Sequence, residues 1–548
     1  MQKNIIIILV ALLLVYCLGL GIDIMDIDAS QYAEMSREMS KTNSYLQVYE
    51  LGKDYLDKPP FLFWISSLSI KIFGVNNFAY KLPSLLFAVA ALYFTFKFAL
   101  LYYKKEIAFI AVLVLASCQA FFLITNDVRT DTILMSWVIL SIWQLAAWYN
   151  TDKFTHLVVG FVAVAFGMMT KGPIAFIIPV LSFSSHFLVV RNFKNIFRWE
   201  YIVGLIIVAI LLIPMSYGLY QQFDAQPTKI VNNGTGVSGL RFFYWTQSFG
   251  RITGESIWNN GATIFFLFQN LLWAFLPWIV IFIFALFDEI KFIIKQKFKL
   301  VSHAEFICMG GFVLTYIALG SSKYQLPHYI FVVLPYASII TAKYLHKLAT
   351  QKRYVAIKSI LEKSHFVIFL LLWIILMVLL HYCFVTPLWI ILLAALFLIG
   401  FLYFFLQKNV HFYILKISIY TMVGINLFLS LSIYPSLLKY QAGSNIGHFI
   451  IKHNIPTNNM FLYKSGLGYS IHFTCNAIIP HKDDTENLAK GTWLITPKDK
   501  LIEFEEKKIS YKIIYSMNNF DVSRLSLKFI NLNTRGEVTV PYCLVKIN

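Results

Sequence analysis

The sequence predicts an all-α polytopic membrane protein that ends in a small α/β domain. The chain of 548 residues is 58% hydrophobic and only 14% charged, whereas an ordinary soluble domain is about 25% charged. Apolar runs of roughly twenty residues, the length that crosses a hydrocarbon core, recur as far as about residue 433. The runs are continuous rather than alternating. Of the two structures that satisfy a backbone inside lipid, helices and closed barrels, only helices read that way.

Thirteen spans are expected, at about 4–22, 78–103, 106–124, 132–149, 156–169, 174–190, 201–221, 263–287, 304–320, 329–345, 365–384, 387–406 and 412–433. The first has a basic lead-in like a secretory signal. No small-residue cleavage site follows it and acids come next, so it reads as a retained span. Two longer polar intervals, 23–76 and 222–262, interrupt a transmembrane domain of residues 1–434. Residues 435–548 form the second domain. There, 460–463 and 492–496 read as short buried strands, and 445–453 and 501–507 as helices. No internal repeat or low-complexity segment is visible.

A net charge of +18 is what a nucleic-acid partner would call for. Its distribution excludes that reading. Basic residues gather in alternate short connections: Lys104-Lys105, then Arg191, Lys194 and Arg198, then Lys291, Lys295, Lys297 and Lys299, then Lys347 to Lys363. Such asymmetry marks the cytoplasmic side. The N-terminus is therefore expected inside a cell (inner, cytoplasmic) membrane, with both long polar intervals and the C-terminal domain outside. Cys17, Cys118, Cys308 and Cys383 fall in or beside apolar runs as small core residues. Cys475 and Cys543, if outside, could form a disulfide. No cysteine spacing resembles a zinc site.

Residues 21–60 carry the densest polar chemistry. Asp26 and Asp28 sit close together, and Asp28-Ala29-Ser30-Gln31 fits a capping box that would open a helix. Tyr32, Met35 and Met39 then fall on one side, with Arg37, Glu38 and Lys41 available for the other, as in a helix lying on the membrane surface. Five cations are expected on the outer side, where positive charge is scarce: Lys58, Arg129, Lys171, Arg251 and Lys323. Each alone reads as a side chain snorkelling to headgroups; together they imply an anionic ligand. Lys58, Lys171 and Lys323 also precede prolines that suit a first helical turn, and a helix N-terminus favours an anion. A phosphate at the bilayer edge fits. Asp131 reads as a helix cap, and His328 as an interfacial hydrogen-bonding residue. Asp26 could neutralise a cation or share a site with Asp28.

The chain resembles the GT-C glycosyltransferases that use polyprenyl-phosphate sugars, in particular lipid A aminoarabinose transferases and protein O-mannosyltransferase-like enzymes. The resemblance rests on Ile27-Asp28-Ala29-Ser30-Gln31-Tyr32-Ala33-Glu34, Asp57-Lys58-Pro59-Pro60-Phe61-Leu62-Phe63-Trp64 and Phe73-Gly74 with Lys81-Leu82-Pro83-Ser84. It continues in Arg129 with Asp131, Thr170-Lys171-Gly172-Pro173, Leu276-Pro277-Trp278, and Ser322-Lys323 with Leu326-Pro327 and Tyr329. These stand in family order across about 5–345.

The resemblance implies a glycosyltransferase that moves a sugar from a polyprenyl phosphate to a lipid, glycan or protein acceptor outside the cytoplasm. Asp28 would be the catalytic base and Lys58 would lie near the donor phosphate, with Arg129, Lys171 and Lys323 as further phosphate ligands. Asp26, Tyr32, Asp57, Asp131, Arg251 and Tyr329 are supporting candidates. The chain departs from the family pattern at Ala29 and Gln31, where an acid and an arginine are expected. It also has Gln247-Ser248 where a Glu-His pair is expected. A divalent metal ion is accordingly left unassigned, and no nucleotide-binding glycine loop is present. The alternative from another class is a transporter or flippase of an anionic lipid, which predicts charges near mid-membrane and internal repeats.

Overall fold

The computed structural model describes residues 2–231, 234–255, 258–299, 304–407, 412–486 and 488–548. Each of the thirteen apolar intervals holds helix. The first half contains α1 (Gln2–Gly19), α2 (Asp28–Thr42), α3 (Phe61–Phe73), α4 (Asn77–Tyr102), α5 (Lys105–Ser117), α6 (Gln119–Asn126), α7 (Thr130–Thr151), α8 (Phe154–Lys171), α9 (Ile174–Val190) and α10 (Glu200–Leu219). Two short helices, α11 (Gly239–Arg241) and α12 (Phe249–Thr253), lie in the second polar interval. The bundle continues with α13 (Ile264–Ala274), α14 (Ile279–Lys295), α15 (Ile307–Gly320), α16 (Leu334–Thr350), α17 (Val355–Val378), α18 (Leu388–Leu406), α19 (Tyr413–Phe428) and α20 (Tyr434–Leu438). Among the described residues eight helices are long and apolar enough to cross a membrane, and α5 with α6 makes a ninth, bent by 55°.

Two expected single spans are broken, and the breaks meet. The interval 106–124 divides at Cys118, whose backbone is extended. Gln119 there donates its backbone N–H to the carbonyl of Leu276, 2.9 Å away. Leu276 belongs to the turn that splits the interval 263–287 into α13 and α14, beside Pro277, which lacks the N–H a helix interior needs. Each irregular backbone segment is thus buried against the other, which is how such segments persist at membrane depth.

The first polar interval is structured rather than a loop. It contains α2, a two-stranded hairpin (β1, Tyr49–Glu50; β2, Lys53–Asp54) and α3. Asp28 does not cap α2. The cap position is Ile27, and no side chain bonds to the first-turn amides. The Asp28 carboxylate instead pairs with Arg129, a full ion pair in place of the amide bond a cap would make. Gln31 donates to Glu50 at 2.6 Å rather than closing a capping box.

The C-terminal domain begins at α21 (Ala442–Lys452) and includes α22 (Ser470–Cys475), α23 (Ile502–Glu506) and α24 (Leu527–Ile530). Following the short pair β3 (Ile230–Val231) and β4 (Gly234–Thr235) of the second interval, its strands are β5 (Met460–Tyr463), β6 (His481–Lys482), β7 (Trp493–Pro497), β8 (Tyr511–Asn519) and β9 (Val540–Ile547). They form one sheet in the order β6-β5-β7-β9-β8. The β5 strand is parallel to β6 and β7, and β9 is antiparallel to β7 and β8. Successive strand side chains point to opposite faces. Met460, Leu462 and Leu544 therefore join Ile446 and Ile450 of α21 in one apolar cluster. Tyr463, Cys543 and Val545 join Phe504 of α23 in another. Cys475 belongs to the first cluster and Cys543 to the second, and both are free thiols. The disulfide weighed above is absent because the sheet lies between its partners.

The charged side of α2 was expected to face water. Arg37 and Glu38 are buried instead, Arg37 against the C-terminal domain, while Lys41 stays exposed. Arg37 pairs with Glu34 and donates to the carbonyl of Asn476 at 3.3 Å, which Lys41 also reaches. Burial pushes the Glu34 carboxyl up to about 7, and the Arg37 guanidinium opposes that rise. Removing one partner of a buried pair leaves the other charge uncompensated. Arg37→Ala is therefore expected to destabilise the protein by about 3–5 kcal/mol, read as a lower midpoint in reversible detergent unfolding. Asp26 also serves this seam. It accepts from the backbone N–H and Oγ of Ser470 at 3.1 and 2.7 Å, and its own N–H donates to Gln441 at 2.9 Å. Burial raises its carboxyl pKa.

A third contact in this seam titrates. His448 Nε2 lies 3.0 Å from Asp23 Oδ1, and Asn77 donates to the same oxygen at 2.8 Å. The hydrogen bond to Asp23 raises the His448 pKa. Although burial works against its charge, Asp23 is held below the usual carboxylate range by that same bond. A histidine with a raised folded pKa stabilises fully below its unfolded value of about 6.5, and the contribution fades as pH rises through the folded value. The protection of the α21 amides, taken as exchange relative to the intrinsic rate at each pH, is therefore expected to fall as pH rises above about 6.5, and His448→Ala should remove that fall.

Candidate active site

The site lies where the first polar interval, the α8–α9 turn, α12 and the segment before α16 come together. Lys58 precedes α3 by the two prolines Pro59 and Pro60. Lys171 ends α8, and Gly172, at φ +106°, turns the chain into α9. A side chain at that φ would be strained. Arg251 stands in α12, and Tyr329 lies in the 3₁₀ segment Pro327–Val333 that leads into α16.

Lys58, Lys171, Arg251 and Tyr329 line one cleft of about 100 Å³. Its remaining wall is largely apolar and includes Leu134, Ile174, Ile177, Leu319 and Val332. Behind the cations stand two carboxylates. Asp57 Oδ2 lies 2.8 Å from Lys58 Nζ, and its Oδ1 lies 3.8 Å from Arg251 Nη2. Burial opposes its charge, but Lys58 and Arg251 hold its carboxyl below the usual range. Asp131 pairs with Lys171 and lies 3.6 Å from His328 Nε2. The Lys171 ammonium sits 4.0 Å over the Tyr329 ring, and Arg251 Nη1 donates to the Tyr329 hydroxyl at 2.6 Å. Arg251 Nε is buried and finds no partner among the described residues. A buried unpaired donor costs about 1–3 kcal/mol.

Asp28 stands apart from the cleft lining, at the start of α2. Its partner Arg129 also holds Asp127, at 2.9 Å, and these two carboxylates keep the guanidinium charged despite its burial. Tyr32, one turn into α2, is buried in the field of Asp28, Asp57, Arg129 and Asp131, and its hydroxyl pKa is raised well above the ordinary value, chiefly by that burial.

Of the five cations expected to share an anion, the structure brings three into one cleft. Arg129 is committed to Asp28 and Asp127. Lys323 is exposed, and its side chain has no ion pair among the described residues. Its backbone N–H donates to the Arg251 carbonyl at 3.0 Å, so it positions the Arg251 turn through the main chain. Asp26 faces the C-terminal domain and does not join Asp28.

Three features were not foreseen. Gln247 donates to the Asp57 carboxylate at 3.1 Å and to its carbonyl. His328 reaches Asp131. Gln31, on the same face of α2 as Asp28, meets Glu50 and the Tyr469 hydroxyl of the C-terminal domain. Only the spacing of Asp28 and Gln31 hinted at the last. Among the described residues, no group of three or more His, Cys, Asp or Glu side chains is arranged to hold a metal ion.

The description "Dolichyl-phosphate-mannose-protein mannosyltransferase" belongs to a family whose model matches residues 57–217. An undecaprenyl phosphate-α-4-amino-4-deoxy-L-arabinose arabinosyl transferase of Wigglesworthia glossinidia brevipalpis is 25% identical over 64% of this chain and 60% of its own length. A transferase of the same name from Yersinia enterocolitica is 26% identical over 60% of this chain and 57% of its own. The match thus spans less than two thirds of these relatives. The crystal structure of ArnT from Cupriavidus metallidurans bound to undecaprenyl phosphate superposes with a TM-score of 0.75. It covers 99% of this chain and 98% of the other at 14% identity; the apo structure gives 0.73. The chain therefore has the fold of that ArnT structure.

Proposed function

We propose that the protein is an integral-membrane glycosyltransferase that moves a sugar from a polyprenyl-phosphate donor to an acceptor at the outer face of the cell membrane. The observation that carries this reading is the cleft itself. Lys58, Lys171, Arg251 and Tyr329 line one cleft, and Arg251 Nε is unpaired among the described residues. The phosphate sits among these groups, and the polyprenyl chain runs along Ile174, Ile177, Leu319 and Val332.

Asp28 serves the other substrate. The acceptor oxygen attacks the anomeric carbon as the carbon–oxygen bond to the phosphate breaks. The bonding pair leaves on the phosphate oxygen, and the acceptor proton passes to Asp28. A base and a leaving phosphate on opposite sides of the sugar give inversion. Arg129 fixes the Asp28 carboxylate, and the pre-placed cations stabilise the charge that develops on the phosphate. In this reading Tyr244, Trp245 and Trp258 of the second polar interval close over the acceptor. The basic connections put the N-terminus in the cytoplasm and the site and C-terminal domain outside, in an inner (cytoplasmic) membrane. Lipid A, another envelope glycan or lipid, and protein are the acceptor classes.

A lipid flippase would place its charges near mid-membrane, whereas these stand at helix ends on one side of the bundle. Mass spectrometry of envelope lipids and glycans from cells with and without the gene tests the reading. The expected result is loss of one sugar-bearing species, restored by the wild-type gene and not by Asp28→Asn. An unchanged envelope would overturn it.

A further inference from the structure

We infer that residues 521–540 are a membrane-dipping anchor, by which the C-terminal domain rests on the bilayer beside α18. The segment belongs to the C-terminal domain in sequence, joining β8 to β9, but not in packing. Its buried side chains Val522 and Phe529 fall in the large apolar cluster of the membrane helices, with Phe520, Ile530 and Val538 packed against it. None of them joins either cluster of the sheet.

Arg535 is the bolt. It donates to the carbonyl of Cys383 at the end of the α17 span, and to that of Phe529 at 2.7 Å. Its guanidinium stacks on Phe384, Tyr440 and Phe529 at 5.4, 5.2 and 4.8 Å. Phe520 closes the arrangement. Its N–H donates to the Tyr440 carbonyl at 2.8 Å, and its ring stacks on Phe529 at 3.8 Å. The segment is therefore fixed at the level of residues 383–389, where α17 ends and α18 begins.

At that level its outward side chains are apolar. Leu527 is 85% exposed, and Leu525 and Leu532 are about half exposed. Single exposed leucines need no explanation on a soluble surface. These three continue a surface that lipid covers already: Val385, Leu388 and Trp389 are exposed in the same way, and only 17% of α18 is buried inside the protein. Arg524 and Lys528 alternate with the leucines and are exposed. Leucines with interspersed basic residues suit the boundary between acyl chains and headgroups.

The full-length protein in phospholipid nanodiscs tests this, in a background whose six cysteines are replaced. Leu527→Cys and Leu532→Cys, each carrying a nitroxide, are compared with Glu506→Cys, which is exposed on α23. Dissolved oxygen partitions into lipid, whereas a nickel chelate stays in water. Collision with oxygen is expected to exceed collision with nickel at positions 527 and 532, and the reverse at 506. Nickel access at 527 and 532 equal to that at 506 would overturn the inference. Exclusion of both reagents would overturn it too, because it would mean that protein, such as a second copy of the chain, covers the segment.

Discussion

Asp28→Asn is expected to slow sugar transfer by about 10²–10⁴-fold, the range a positioned general base contributes. The amide keeps the shape and can still face Arg129, so folding should hold. What is lost is the capacity to take the acceptor proton. The measurement is transfer from a polyprenyl-phosphate sugar by detergent-purified enzyme, alongside binding of undecaprenyl phosphate as a control. Binding should be unchanged, because Asp28 is absent from the cleft lining. Wild-type transfer by Asp28→Asn would sink the assignment.

Arg251→Lys is expected to cost about 10²–10³-fold in kcat, the usual penalty for removing one pre-placed donor to developing charge. The substitution keeps the charge and loses the planar fork, which a lysine does not replace. In this site the fork has a visible use: Nη1 donates to Tyr329 while Nη2 faces Asp57, and Nε with the remaining Nη hydrogens is left to reach phosphate. Affinity for undecaprenyl phosphate should fall together with kcat. Wild-type affinity in this variant would show that the anion binds elsewhere.

The membrane architecture was legible because lipid imposes a coarse rule: long apolar runs must be helices. The rule says nothing about where two buried irregular segments satisfy each other, so the paired breaks at Cys118 and at Leu276–Pro277 were invisible. The cations were legible for a related reason, since positive charge is rare on the expected outer side. Their division was not. Arg129 and Lys171 look alike in sequence, yet one is occupied by Asp28 and Asp127, and the other lines the cleft. The polar side of α2 misled most. Arg37, Glu38 and Lys41 have the spacing of a solvated face, but a pattern cannot show that a domain four hundred residues later will cover Arg37 while Lys41 stays exposed. Asp26 was misjudged for the same reason.

The burial of α2 under the C-terminal domain has a thermodynamic consequence. The helix that begins with Asp28 is gripped at Arg37 and Lys41 by Asn476, and just before its start at Asp26 by Ser470. The position of Asp28 and the docking of the domain are then two descriptions of one equilibrium. A ligand that binds only the docked form stabilises docking by about 2.7 kcal/mol at a hundred times its Kd. The coupling is reciprocal: whatever loosens the domain must weaken that ligand by the same factor, although the domain never touches it. Slower amide exchange in α22 on addition of undecaprenyl phosphate would be the signature of this coupling.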